Sequence, residues 1–389
     1  MRSSTDLVDE HPATPGDRPR TGPTRRLTRR LTRQPARRRT GPGIRGREGV
    51  AGWLFVAPVV VILGLFLLAP ILLALWVSLS DWTGNGSPLA HGVHFVGGRN
   101  YAALLTRDGL ARDDFMVSLR NNFYYVLLVV PLQTLLALGL ALALHRQHLA
   151  GRSFFRTAYY FPSVTSSVAI SVVFLFLFSS SGTVNALLRL VGIHGPSWFA
   201  DPRGILHLAL GRLGLVDLAH PPPALAGHHV FGLSVWDWLS GPSVAMCSIV
   251  FLVVWTSAGG YMLMFLAALQ NLPVSVQEAA VVDGATSSQR LWRVTLPMIR
   301  PTVFLVLTIG LIGTWQVFDQ IYVMSQGNPG KTTLTPAYLS YTTSFSAQQW
   351  GRGTAIAFIL FVVIVAFTVL QRWVLRERGG RPGSARRAA

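Results

Sequence analysis

Six long stretches of the chain contain no Asp, Glu, Lys or Arg: Gly49–Ser80, Asn121–Leu144, Thr157–Leu188, Trp238–Gln277, Pro301–Phe318 and Gly353–Gln371. The fifth extends through Asp319 to Met324. A helix needs about 20 mostly apolar residues to cross the hydrocarbon core of a bilayer. Each stretch reaches or approaches that length, and a helix satisfies its own backbone hydrogen bonds where no water is present. Buried helices of soluble proteins are usually shorter and flanked by charged surface. With 50% hydrophobic and 13% charged residues, the chain also lies far from the roughly 25% charged content of soluble domains. Transmembrane strands would alternate over roughly ten residues, whereas Val59–Leu68 and Ile356–Val369 are unbroken apolar blocks. The expected fold class is an all-α membrane protein with six transmembrane helices. The first stretch is longer than a signal-peptide core and lacks a clear cleavage site, so it is expected to be retained.

The charges fix the expected orientation. Residues 1–49 hold 13 Arg and five acids with few apolar residues, and read as a disordered basic tail. With six spans, 25 of the 34 Lys and Arg fall on the side of the two termini and nine on the other. The positive-inside rule then makes both termini cytoplasmic. The organisation that follows is a cytoplasmic tail at 1–49, a first transmembrane helix at 50–80, an outer loop at 81–116, five further helices within 117–372, and a cytoplasmic tail at 373–389. A long outer insertion spans about 203–236 and an inward loop spans 271–300. The net charge of +18 is mostly this topology signal plus affinity of the tail for anionic membrane lipid, not a nucleic-acid signature.

The inward loop reads as two short helices. Ser275 and Glu278 have the spacing of a capping box, which predicts a helix starting near Val276. Gly284 stands where a C-terminal glycine would stop it. Thr286 and Gln289 repeat the box, predicting a second helix near Ser287, and Pro297 and Pro301 mark the turn into the fifth span.

This loop resembles the E-A-A loop of ABC importer permeases of the carbohydrate type, the group of the maltose and glycerol-3-phosphate importers. The matching residues are Glu278, Ala279 and Ala280, then Asp283, Gly284 and Ala285, then Leu296 and Pro297 at the motif's spacing. Phe95–Tyr101, Ser118–Asn122, Arg152–Pro162 and Phe318–Pro329 resemble further family patterns, with Asn122 and Asn328 departing from them. The likeness runs from about Trp53 to Trp373 and omits the tail and much of Arg203–Trp236. The resemblance implies a type I ABC importer permease fold, with 117–372 as the ABC transmembrane domain. It implies that Glu278, Ala279, Ala280, Asp283, Gly284, Ala285, Leu296 and Pro297 couple the permease to a cytoplasmic ABC ATPase dimer. It also implies a second permease subunit, an extracellular solute-binding protein, and a sugar as the solute in a bacterial cell membrane. A glycerol-3-phosphate or other small polar solute is the alternative within the class.

Other signals are weaker. Ser325–Thr332 is close to a phosphate loop but lacks its first glycine and is not placed between a strand and a helix. Hence the ATPase is expected on another polypeptide, and the chain is expected not to be an enzyme. Asp319 is an acid beside a span, a functional candidate by default, or a solvated residue at the interface. His207, His220, His228 and His229 lie in the outer insertion, where no convergent metal set is evident. The lone Cys247 excludes an intrachain disulfide, and no cofactor or metal is expected. Trp255, Tyr261 and Trp315 are candidates to line a sugar path, with no basis for choosing among them. A stand-alone secondary transporter would need coupling charges or an internal repeat, and neither is evident.

Overall fold

A computed structural model describes residues 45–145, 151–214, 222–230 and 232–375. Most of the basic N-terminal tail, Arg146, His220 and the C-terminal tail beyond 375 lie outside the described residues. The chain divides into two units, 1–61 and 62–389. The described part of the first is a helix from Arg45, and every contact below lies within the second.

Nine helical segments carry the architecture. They are α1 (Gly52–Ser78), α2 (Leu110–His145), α3 (Arg152–Val164), α4 (Ser167–Leu177), α5 (Val244–Gln270), α6 (Val274–Val282), α7 (Ser287–Met298), α8 (Arg300–Trp315) and α9 (Trp350–Leu375). Among the described residues, α1, α2, α5 and α9 are each long and apolar enough to cross a bilayer. The third charge-free stretch is not the single straight helix that its composition suggests, and the fifth forms one helix, α8, that is joined at a sharp angle to the helix before it. The third is α3 and α4, bent by 98°, and the fifth is preceded by α7 at 69° to α8. Counting each bent pair as one span gives six. The bend in the third stretch has a local cause. Thr165 is extended at ψ 146°, and the Ser166 hydroxyl accepts the Ala169 amide, which starts a new helix rather than continuing the old one. The fold is also not purely helical, because β1 (His229–Val230) and β2 (Leu233–Ser234) pair antiparallel within the 203–236 insertion.

The centre of the bundle is the α2–α5 pair. Ala137, Ala141 and Leu144 of α2 face Ala258, Met262, Phe265 and Leu269 of α5, at the three- and four-residue spacing of a single helix face. Nearer the other end, Tyr125 and Val129 pack with Met246, Ile249 and Leu252. A second face of α2, through Val126 and Val130, meets Trp315, Leu360 and Ile364 of α8 and α9. Gly259 permits α5 to press against α3, since a Cβ there would collide with the Tyr159 carbonyl oxygen.

Two sequence motifs act as polar ties. Asn100 donates to the carbonyls of Ser78 and Ser80, each at 2.9 Å, and so satisfies acceptors at the end of α1. Asn121 donates to the carbonyls of Lys331 and Leu334 at 2.7 and 3.1 Å, and Asn122 to that of Trp315 at 3.0 Å. These bonds hold the end of α8 and the loop beyond it to α2. Lys331 of the phosphate-loop-like stretch is 2.6 Å from Asp114 of α2, so its ammonium serves the same attachment.

Candidate functional site

The 271–300 segment forms a closed two-helix tip beyond the end of α5. Pro273 precedes α6 without a side-chain cap, so the helix begins at Val274 and the expected Ser275–Glu278 box does not form. The fixed φ of proline suits a residue preceding or opening a helix, which explains the earlier start. The other end follows expectation. Gly284 has φ +73°, its amide donates to Val281 O at 3.0 Å, and the Ala285 amide donates to Ala280 O at 3.0 Å. That pair of bonds is a Schellman closure, which requires the left-handed conformation at the glycine. The second capping box is complete: the Gln289 amide donates to Thr286 Oγ1 at 3.3 Å, and the Thr286 amide donates to Gln289 Oε1 at 2.8 Å. Leu296 and Leu272 pack on the cluster containing Phe265, Leu269 and Ile299. The base of the tip is therefore anchored in the core.

The tip itself is bare. No residue of α6 is buried, and Val274, Val282 and Trp292 are 68%, 85% and 68% exposed. Glu278, Ala279, Asp283, Gly284 and Pro297 are exposed, while Ala280, Ala285 and Leu296 are half-buried. All eight residues singled out in the sequence thus lie on one short segment. Exposed valines and a tryptophan give the capped tip an apolar surface.

A cavity of about 290 Å³ opens between α2, α5 and α8. Gln133, Ser257, Tyr261, Thr314, Gln316, Asp319 and Gln320 supply its polar lining. The Ser257 hydroxyl donates to Gln133 Oε1 at 2.7 Å. Gln133 Nε2 is buried with no hydrogen-bond partner. It is accommodated by Gly310, where a Cβ would fall 2.5 Å away. Asp319 accepts a hydrogen bond from the Ser167 hydroxyl of α4. Lys, Arg and His are absent from the lining of this cavity among the described residues. Its wall therefore carries one carboxylate and several neutral donors and acceptors.

Of the three aromatic candidates, Tyr261 lines the cavity. Trp315 is buried against Phe367 at 5.1 Å, and Trp255 lies against Phe174 at 5.5 Å. The glutamines were missed in the sequence, although Gln133, a polar residue inside a charge-free run, was a readable signal.

The described residues of the 203–236 insertion are tied by polar and aromatic contacts. Arg203 makes a forked pair with Asp201 at 2.9 and 2.7 Å. Arg120 of α2 donates to the Asp237 carbonyl at 3.2 Å, and His207 stacks on Trp236 at 4.0 Å. Burial holds the His207 imidazole below its usual pKa. Leu233 of β2 packs with Phe115, Met116 and Ile356 at the ends of α2 and α9.

Long apolar helices around a polar cavity, with a capped and uncovered tip, define a multi-pass membrane transport subunit. The model of the family described as binding-protein-dependent transport system inner membrane component matches residues 134–378. The chain belongs to that family. It is 31% identical over 332 residues to the lactose transport system permease protein LacF of Rhizobium radiobacter, covering 85% of this chain and 95% of the relative. It is 28% identical over 320 residues to the multiple sugar-binding transport system permease protein MsmF of Streptococcus mutans, covering 82% and 93%. Its fold is similar to that of a chain in the crystal structure of a bacterial ABC transporter involved in the import of the acidic polysaccharide alginate. That match has a TM-score of 0.63 and 19% identity, covering 86% of this chain and 99% of the other.

Proposed function

We propose that this chain is one permease subunit of an ATP-driven importer and forms half of the translocation path for a neutral sugar. The observation that carries the reading is the tip at 271–300. It is a capped pair of helices, anchored at its base and uncovered at its apex. In this reading it docks in a groove on a separate cytoplasmic ATPase, whose closure tilts the bundle between inward- and outward-facing states. Glu278 and Asp283 offer charge at the dock, Ala279, Ala280 and Ala285 allow close approach, and Gly284 with Leu296 and Pro297 sets the angle. Each bent pair acts as one span, which gives six spans with both termini cytoplasmic in a bacterial cell membrane. Residues 1–49 and 373–389 are then cytoplasmic tails, and the 81–116 loop and the 203–236 insertion face outward. There a solute-binding protein delivers the substrate, and a second permease completes the pore.

The sugar assignment rests on the lactose and multiple-sugar transport of the two relatives and on the cavity wall. Amides, hydroxyls and one carboxylate suit the hydroxyls of a sugar. An anion such as glycerol-3-phosphate would meet Asp319 with no cation in the lining among the described residues. The test is a cysteine at position 282, on the 85%-exposed Val282, in a chain whose Cys247 is replaced by Ser. Cross-linking to the ATPase that changes in yield with ATP supports the docking. Absence of any cross-link in an assembled complex removes it.

A further inference from the structure

Five aromatic rings run in sequence from the translocation cavity to a second cavity near the end of α1. Phe318, a residue of the first cavity, lies 5.2 Å from Tyr341 between ring centroids. Tyr341 lies 4.9 Å from Phe345, Phe345 lies 4.6 Å from Trp350, and Trp350 lies 5.4 Å from Trp82. Trp82 belongs to the second cavity, of about 190 Å³. Tyr322 flanks the row, 5.5 Å from both Phe318 and Tyr341.

The row differs from a packed core. Tyr322 and Phe345 are 44% and 57% exposed, and Phe318, Tyr341, Trp350 and Trp82 are half-buried. It differs also from a belt of interfacial aromatics, which marks one level of the membrane; these rings connect two polar-lined hollows. Two π-helical turns, Ile321–Ser325 and Thr342–Ser346, carry Tyr322 and Phe345. Such turns are rare and concentrate at functional sites. Gly84 makes room for the last step, because a Cβ there would collide with the Trp350 indole.

We propose that this row is a saccharide track leading from the outer cavity to the translocation cavity. The proposal rests on the sugar reading above and extends it to a site outside the central cavity. A pyranose presents axial C–H bonds on one face, and these carry slight positive charge. An aromatic ring presents a negative face. Successive rings stand 4.6–5.4 Å apart at interplanar angles of 31–64°, so a sugar passes from the open face of one ring to the open face or edge of the next without leaving an apolar surface. Hydroxyls at its edge meet polar groups at both ends: Gln316, Asp319 and Gln320 inside, and Gln348 outside. Gln348 is held in the left-handed region at φ +52°, and a carboxamide there can serve sugar hydroxyls as donor and acceptor.

The test uses the complete transporter in proteoliposomes, with its second permease, ATPase and binding protein. The probes are radiolabelled glucose, lactose, maltose and maltotriose. Phe345→Ala and Tyr341→Ala are expected to lower uptake on the order of tenfold, most for the trisaccharide, with assembly intact. Phe345→Trp is expected to restore most of it. Saccharide uptake by the wild type that both alanine variants retain overturns the track alone. Loss of the second permease from the purified alanine variants also overturns it, because the rings then pack against that subunit. Uptake of none of these saccharides by the wild type overturns the sugar reading and the track with it.

Discussion

Asp319, beyond the end of α8, accepts a hydrogen bond from Ser167, the first residue of α4. The contact ties the fifth charge-free stretch to the elbow of the broken third. It also leaves a carboxylate at the cavity wall with no ion-pair partner among the described residues. Asp319→Asn keeps the shape and removes the charge. It is expected to lower uptake of neutral sugars and to raise the relative uptake of acidic ones. Paired uptake assays with a neutral sugar and its uronate read this directly. An unchanged ratio would mean that Asp319 plays no part in selection.

Gly284→Val places a β-branched residue at φ +73°, a conformation that disfavours it by about 1–2 kcal/mol. Nothing lies within 4 Å of a Cβ there, so the effect is on the angle of the tip and not on packing. Membrane insertion is expected to remain normal while transport falls, and Glu278→Ala is expected to act in the same direction. Membrane fractionation alongside uptake separates the two. Normal uptake in both variants would remove the coupling role.

Asn121→Ala would remove the side-chain donor to the carbonyls of Leu334 and of Lys331, the latter keeping only the Leu334 amide. Losing bonds to buried acceptors destabilises by about 1–3 kcal/mol. Detergent-solubilised protein is expected to melt several degrees lower than the wild type, and Asn122→Ala, which frees the Trp315 carbonyl, should do the same. An unchanged melting temperature for both would show that the loop beyond α8 does not depend on α2.

The 203–236 insertion should respond to pH through His207. Burial lowers its folded pKa, against an opposing pull from Asp237. A histidine lowered in this way binds fewer protons when folded than when released. Its docking is therefore fully stable above the ordinary value of about 6.5 and weakens as pH falls below it. Trp236 emission followed from pH 8 to 5 should report loosening at the acid end, and His207→Phe should abolish that change. A pH-independent signal in the wild type would contradict the assignment.

Much of this was legible because charge is so costly in hydrocarbon. The charge-free runs located α9 within four residues at each end and α5 within seven, and they found the end of α2 but missed its start at Leu110, where Arg112, Asp113 and Asp114 extend the helix beyond the apolar run. Gly284 and the Thr286–Gln289 box were legible because each serves a local backbone need. Ser275 misled for the same reason: the local pattern was present, but Pro273 had already started the helix. The bends were harder to read. Hydropathy averages over the Thr165–Ser166 elbow, and nothing in an apolar run shows that its axis turns by 98°. The cavity was least legible. Gln133, Ser257 and Asp319 lie far apart in sequence and meet only through the packing of α2, α5 and α8. The tertiary fold likewise decides that Tyr261 lines the cavity while Trp315 is buried.

The most direct test is uptake by proteoliposomes that contain the chain with its second permease and binding protein, with and without the ATPase and internal ATP. Uptake that appears only when both ATPase and ATP are present is the expected result. Sustained uptake by the chain alone would contradict it and would make the exposed 271–300 tip something other than a coupling device.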